Sequence, residues 1–235
     1  MKTAYGLAAA LFAVFSCGHV SAAPYPTEDQ LRAGISAATT VLKSENLEVE
    51  VLDAQKEGLK RPLLAAGLRL ADSMCLVFFN TRPEDGLIQF FESISEQDLP
   101  VWLKAMAVHE LTHCVEQREA YIRNRFEKVL PPGFALDNVT VQGYLSVVQS
   151  GAVEGWGEVL ADIASVLYFQ QAVPEQWMEF TQRLAAMRHG LAWKWPEHDT
   201  SAWLNKIMES NDSVAADQSL FETAFELRRK YRPEQ

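Results

Sequence analysis

The chain has 235 residues, which is enough for one domain or a small pair with a substantial buried core. With 48% hydrophobic and 22% charged residues, its composition is typical of a globular protein and excludes a disordered or collagen-like chain. The formal net charge is -10, and no basic stretch offers the clustered positive charge that binds a nucleic-acid backbone. We therefore expect no nucleic-acid partner.

The N-terminal residues 1–22 have the pattern of a secretory signal peptide. Lys2 supplies a positive start, an uncharged apolar run follows over residues 5–15, and residues 20–22 precede a cleavage point. The pattern predicts an exported protein, either periplasmic or extracellular. Its mature part is predicted to be a single domain over residues 23–235, without an integral membrane segment.

Three cysteines bear on how the exported chain is anchored and oxidised. Lipid anchoring at Cys17 is an alternative to plain signal cleavage, but Phe15 occupies a position where a small residue is usual. Cys75 and Cys114 remain in the mature chain. Export favours a disulfide between them, whereas their apolar surroundings are equally compatible with two buried thiols. The sequence leaves both alternatives open.

The spacing of apolar residues predicts a predominantly helical α+β domain. In chain order, we expect helices over residues 27–42, 62–71, 87–93, 95–129, 141–171, 174–189, 203–208 and 220–231, and strands over residues 47–52 and 75–79. The helical region 141–171 is expected to break near Ser150-Gly151 or between Gly155 and Gly157, because glycine lowers helix propensity.

The clearest chemical signal lies in the predicted helix that starts at residue 95. His109 and His113 are one helical turn apart, so both imidazoles face the same side and can bind one ion. Neutral imidazole suits Zn²⁺, and Glu110 projects beside the pair, where it can accept a proton from a bound water. The alternative is a histidine pair with a purely structural role.

A second segment supplies a third ligand. On a helix, Glu158 and Asp162 share a face, and Glu158 completes a set of two histidines and one glutamate that leaves a position for water. Asp162 could accept a hydrogen bond from a metal-bound histidine. Glu154 is the alternative ligand, one turn earlier, but only Glu158 has an aspartate four residues later.

The two segments resemble the motifs of the gluzincin zinc metallopeptidases. One motif, identical to the zinc helix of thermolysin, reads His109-Glu110-Leu111-Thr112-His113. The other is similar to the Glu-x-x-x-Asp motif of thermolysin-like enzymes and to the Glu-x-x-Ala-Asp form of peptidases related to CAAX-processing and HtpX proteases. It reads Glu158-Val159-Leu160-Ala161-Asp162. Because the match covers two short helices, it indicates the clan rather than one family.

This resemblance implies a zincin-like metallopeptidase domain with a small β-sheet beside the active-site helix. It implies Zn²⁺ bound by His109, His113 and Glu158, with Glu110 as the general base. Asp162 would orient a histidine ligand. The substrate would be a peptide or a protein, and the residue 75–79 strand could pair with it in extended form.

Peptide hydrolysis also needs a donor for the oxyanion that develops beside the metal. Related enzymes often use a histidine or tyrosine beyond the zinc helix. The candidates here are His189, Tyr144 and Tyr121, of which we favour His189. His198 lies between two acidic residues after a proline, and we predict it in a surface loop.

Three further expectations concern the cleft and its activity. Trp156 and Trp177 could line a specificity pocket, although aromatic residues at helical spacing are more often core residues. One rival function is a protein-interaction module that holds zinc without catalysis, but the intact Glu110 argues against it. Another is an inhibited precursor in which residues 23–70 cover the cleft.

Overall fold

The computed structural model describes residues 25–60, 62–135, 139–210, 212–214 and 218–231. The proposed signal peptide and Cys17 lie outside these ranges. Within them the fold is α+β and mainly helical, as the sequence predicts, and it contains a three-stranded sheet. No helix in the described ranges combines the length and the apolar character that are needed to cross a bilayer.

The helices are numbered along the chain. They are α1 (Glu28–Ala38), α2 (Asp85–Glu92), α3 (Leu99–Tyr121), α4 (Phe126–Val129), α5 (Val141–Gln149), α6 (Glu154–Ala172), α7 (Trp177–Leu191), α8 (Ser201–Ser210) and α9 (Leu220–Lys230). The strands are β1 (Val49–Asp53), β2 (Leu64–Arg69) and β3 (Met74–Phe79), and two 3₁₀ segments are Thr39–Glu45 and Pro196–His198.

The sheet has β3 at its centre. β1 pairs with β3 in parallel and β2 pairs with it in antiparallel fashion, so the strand order is β1-β3-β2. The predicted helix over residues 62–71 is wrong, because this segment forms β2 and turns back into β3. Ser73 has a positive φ of 59° in that turn, and Asp72 there accepts hydrogen bonds from Arg69.

The central position of β3 also changes the expected substrate contact. A strand that is paired on both sides has no free backbone groups for another strand. The prediction that the residue 75–79 strand adds a peptide is therefore wrong. β1 and β2 are the two outer strands, and β2 is the one that packs against α3.

Two buried helices, α3 and α6, form the centre of the domain and pack against each other. The predicted helix over residues 95–129 is divided, because the chain turns at Asn124, with a φ of 53°, before α4 begins. The predicted interruption of the 141–171 region is confirmed. Gly151 takes a positive φ of 75° between α5 and α6, a conformation that glycine adopts without strain.

A disulfide joins Cys75 on β3 to Cys114 on α3, with the two Cα atoms 5.7 Å apart. Both residues are fully buried. Of the two alternatives that the sequence allows, the structure therefore has the disulfide. It ties the central strand to the helix that carries both histidines.

Candidate metal centre

The three predicted metal ligands converge between α3 and α6. His109 and His113 direct their Nε2 atoms at each other, 3.3 Å apart. Glu158 places Oε2 at 3.4 Å from His109 Nε2 and Oε1 at 3.4 Å from His113 Nε2. One ligand atom from each residue lies within 4.8 Å of the others. Two segments distant in sequence thus meet in one cluster.

The chemistry of this cluster fits a divalent metal ion. Three nitrogens lie within 3.4 Å of Glu158 Oε2, yet none of them makes a hydrogen bond to that buried oxygen. A buried carboxylate oxygen without a hydrogen bond is costly, and a cation shared with the two imidazoles would satisfy it. Two imidazoles and one carboxylate form a donor set that suits Zn²⁺.

Asp162 holds His109 in the orientation that this set requires. Its Oδ1 lies 2.8 Å from His109 Nδ1, so the ring donates there and keeps Nε2 toward the cluster. Asp162 also accepts two hydrogen bonds of 2.7 Å from Arg188 and one of 2.5 Å from Thr200. Burial opposes its charge, but Arg188 and His109 outweigh burial and lower the pKa of Asp162 to about 2.

The charges in the cluster determine which protons a metal must displace. Burial disfavours the protonated form of His109, but Glu158 and Asp162 overcome this effect and raise the pKa of His109 to about 10. Burial acts in the same way on His113, and Glu158 again outweighs it and raises the pKa. A metal ion must therefore compete with protons for the imidazoles at neutral pH.

At Glu158, by contrast, a metal ion has no proton to displace. Although burial opposes its charge, the neighbouring His109 and His113 hold the pKa of Glu158 well below its usual range, and His198 adds to this effect. Glu158 is therefore ionised and ready to bind a cation at neutral pH. The rival ligand Glu154 lies outside the cluster and contacts His198 instead.

A cavity of about 490 Å³ opens directly onto the cluster. Glu110 lines it beside His109 and His113. Away from the cluster the cavity wall is mainly apolar and includes Trp102, Met106, Phe169, Leu184, Met187 and Leu191. The two tryptophans expected in a pocket do not line this cavity: Trp156 packs against Arg228, and Trp177 packs against the core.

The structure does not bring His189 to the cluster. Its side chain is 77% exposed and contacts Asp199 on the surface. Successive residues of a helix point about 100° apart, and the preceding Arg188 faces the cluster, so His189 is turned to solvent. The two tyrosine alternatives also lie elsewhere, where Tyr121 and Tyr144 pack against each other with ring centres 5.4 Å apart.

His198 occupies the place expected for His189. Its Nδ1 lies 3.2 Å from Glu158 Oε2, and its Nε2 lies 3.1 Å from Glu154 Oε1. The surface-loop prediction for His198 is wrong, because the 3₁₀ segment folds over the start of α6. Gly155 permits this approach, since a Cβ there would lie 2.9 Å from the Glu197 carbonyl oxygen.

Arg188 is a site residue that the sequence reasoning missed. It makes a two-pronged contact with Asp162 and also lies 3.4 Å from Glu158. Its positive charge lies close to the carboxylates of both Asp162 and Glu158. No local pattern marks it, because the positions before and after it on α7 are a methionine and an exposed histidine.

Comparisons with known proteins give no family for this chain. No protein-family model, curated protein or solved structure matches it. The functional assignment therefore depends on the residues of the cluster and on their chemistry.

Proposed function

We propose that the protein is an exported zinc metallopeptidase of gluzincin type with a zincin-like fold. The observation that carries the proposal is the convergence of His109, His113 and Glu158 at one end of a cavity that Glu110 also lines. The buried disulfide supports export, because such bonds persist mainly in oxidising compartments.

The residues around the cluster divide the chemistry among them. A bound Zn²⁺ would polarise the scissile carbonyl and lower the pKa of a coordinated water. Glu110 accepts a proton from the attacking water and passes it to the leaving amine. His198 offers a ring N–H beside the cluster for the developing oxyanion, in the role that the sequence suggested for His189.

The outer edge of β2 provides a place for an extended peptide. The Leu63 carbonyl accepts from Asn80, after β3, whereas the Leu68 N–H turns the other way and donates to Gln117 on α3. By alternation, the backbone groups of Leu64 and Ala66 face away from β3, and both residues line the cavity. A substrate strand could pair there and place an apolar side chain in the cavity.

The rival hypothesis of an inhibitory segment over residues 23–70 does not fit this proposal. The described residues of this segment contribute α1, β1 and β2, and α1 packs against α3 while β1 pairs with β3. Removing it would expose the core and delete the cavity wall that β2 forms. We therefore assign the described part of residues 23–70 to the catalytic domain.

Two substitutions with separate outcomes test the proposal. Glu110→Gln should retain zinc, measured by elemental analysis, and lose chelator-sensitive hydrolysis of a broad peptide library. Glu158→Ala should lose the zinc itself. Glu92→Gln, at an exposed position on α2, is the control and should change neither property.

Two results would contradict the proposal. Hydrolysis by Glu110→Gln at the wild-type rate would refute the mechanism. Wild-type protein that binds zinc but cleaves no peptide would favour the zinc-binding interaction module instead.

A further inference from the structure

The two histidines of the cluster differ in how their outer nitrogens are held. His109 Nδ1 has a carboxylate partner in Asp162. No described residue makes a hydrogen bond with His113 Nδ1, although its Nε2 faces the cluster. A metal-bound imidazole almost always donates its other N–H, so His113 needs an acceptor on its far side.

Glu116, one turn after His113 on α3, borders that side. Its Oε1 accepts a hydrogen bond of 2.6 Å from Arg228, whereas its Oε2 lies 3.1 Å from the point where a Cβ on Gly157 would stand. His113 Nδ1 lies 3.9 Å from the same point. The unused carboxylate oxygen and the unused ring nitrogen thus border one small space, which exists because residue 157 has no side chain.

Arg228 holds this carboxylate from the C-terminal helix α9. The guanidinium is fully buried and also donates to the carbonyl oxygens of Trp156, at 2.7 Å, and Lys128, at 3.2 Å. Its Cζ lies 4.4 Å above the Trp156 ring. Because Trp156 and Glu116 belong to the two ligand-bearing helices, Arg228 fastens α9 to both of them.

We propose that Glu116 is a positioning residue for His113, accepting its Nδ1–H when a metal binds Nε2, and that Arg228 holds the carboxylate in place. The inference rests on the proposed metal centre. It gives His113 the carboxylate support that His109 receives from Asp162, and it makes α9 part of the metal-binding apparatus.

The test measures metal affinity in folded protein. Zn²⁺ affinity is measured by competition with a chromophoric chelator, and Co²⁺ spectra report ligand geometry. Glu116→Gln should bind Zn²⁺ about 10-fold to 100-fold more weakly than wild type, the usual effect of losing such a partner. Gly157→Ala should act in the same direction, because its methyl group would occupy the space between Glu116 and His113.

Glu119→Gln is the matched control. Glu119 is also a buried glutamate of α3 with cationic partners, Arg123, Arg125 and Lys128, and among the described residues its side chain makes no direct contact with His113 or Glu116. It should lose stability but keep wild-type Zn²⁺ affinity. If Glu116→Gln does not fold, Gly157→Ala carries the test.

The outcomes separate this inference from the proposed function. Wild-type protein that binds no Zn²⁺ would remove the metal centre and both proposals with it. Wild-type protein that binds Zn²⁺, together with folded Glu116→Gln and Gly157→Ala variants of equal affinity and unchanged Co²⁺ spectra, would show that the Glu116–Arg228 pair only stabilises the fold.

Discussion

The disulfide between Cys75 and Cys114 gives the prediction whose size follows most directly from the structure. The bond closes a loop between residues 39 positions apart. In the chain-entropy model, such a cross-link lowers the entropy of the unfolded state by about 13 cal/mol/K, which corresponds to about 4 kcal/mol at 298 K. Cys75→Ala/Cys114→Ala should therefore lower the free energy of unfolding by about 4 kcal/mol.

Alanine is the suitable replacement, because both positions are fully buried and serine would bury a hydroxyl group in an apolar site. With a urea dependence of about 2.5 kcal/mol per molar, the unfolding midpoint should fall by about 1.6 M. The transition is followed by tryptophan fluorescence after chelation, so that metal binding does not contribute to stability.

Reduction of the wild-type protein serves as an independent arm of the same experiment. It should lower the midpoint by a similar amount without any change of side-chain volume. A shift below about 0.5 M in both arms would refute the reasoning, because a cross-link of this loop length would then contribute almost nothing. Peptide mapping without reduction should recover the two cysteines in one linked fragment.

Three further predictions concern the site. Arg188→Met should lower the free energy of unfolding by about 3–5 kcal/mol, because it leaves the buried Asp162 without its guanidinium partner; an unchanged thermal midpoint would count against this. Zn²⁺ binding at pH 7 should release at least one proton and strengthen from pH 6 to pH 8, because His109, with its pKa raised to about 10, must deprotonate. Calorimetry in two buffers would contradict this by showing no proton release. Leu184→Trp should narrow the apolar cavity and reduce kcat/KM at least 10-fold for peptides with a large apolar residue, sparing alanine-containing ones; equal losses would argue against a substrate pocket.

The cluster of His109, His113 and Glu158 could be predicted from the sequence because each part of it is local. His109 and His113 share a helix face by their spacing alone, and so do Glu158 and Asp162. The two segments meet because α3 and α6 are both buried and pack at the centre of the domain. The spacing of apolar residues indicated both helices, and the motif resemblance indicated that they belong together.

The strand β2 could not be predicted in this way. The segment of β2 is rich in leucine and alanine, which favour a helix in isolation. Its strand conformation comes from pairing with β3, and strand preference depends more on such neighbours than on the residues themselves. The error mattered for function, because it moved the expected peptide contact from β2 to the central strand.

The residues that surround the cluster were harder to identify than the cluster itself. The choice between His189 and its neighbour Arg188 depends on how α7 is rotated against α6. Contacts between the two helices set that rotation, including the ion pair of Arg188 with Asp162, and the local sequence does not show it. His198 faces the cluster because the 3₁₀ segment folds back over α6. Rotation of α7 by one residue, about 100°, would place His189 at Asp162 in place of Arg188.

One feature of the sequence does indicate that other elements approach α6 closely, namely the two glycines on either side of Trp156. Gly155 makes room for the Glu197 carbonyl, and Gly157 makes room for the carboxylate of Glu116. A side chain at either position would push away one of the elements that surround Glu158. Glycine costs about 1 kcal/mol relative to alanine inside a helix, so two glycines weaken the first turns of α6. In return, they let the Glu197 carbonyl and the Glu116 carboxylate approach the helix backbone closely. The 3₁₀ segment that Gly155 admits brings His198 to Glu158, and Arg228 of α9 holds the Glu116 carboxylate that Gly157 admits. Two elements that follow α6 in the chain thus support the surroundings of the cluster that α3 and α6 form.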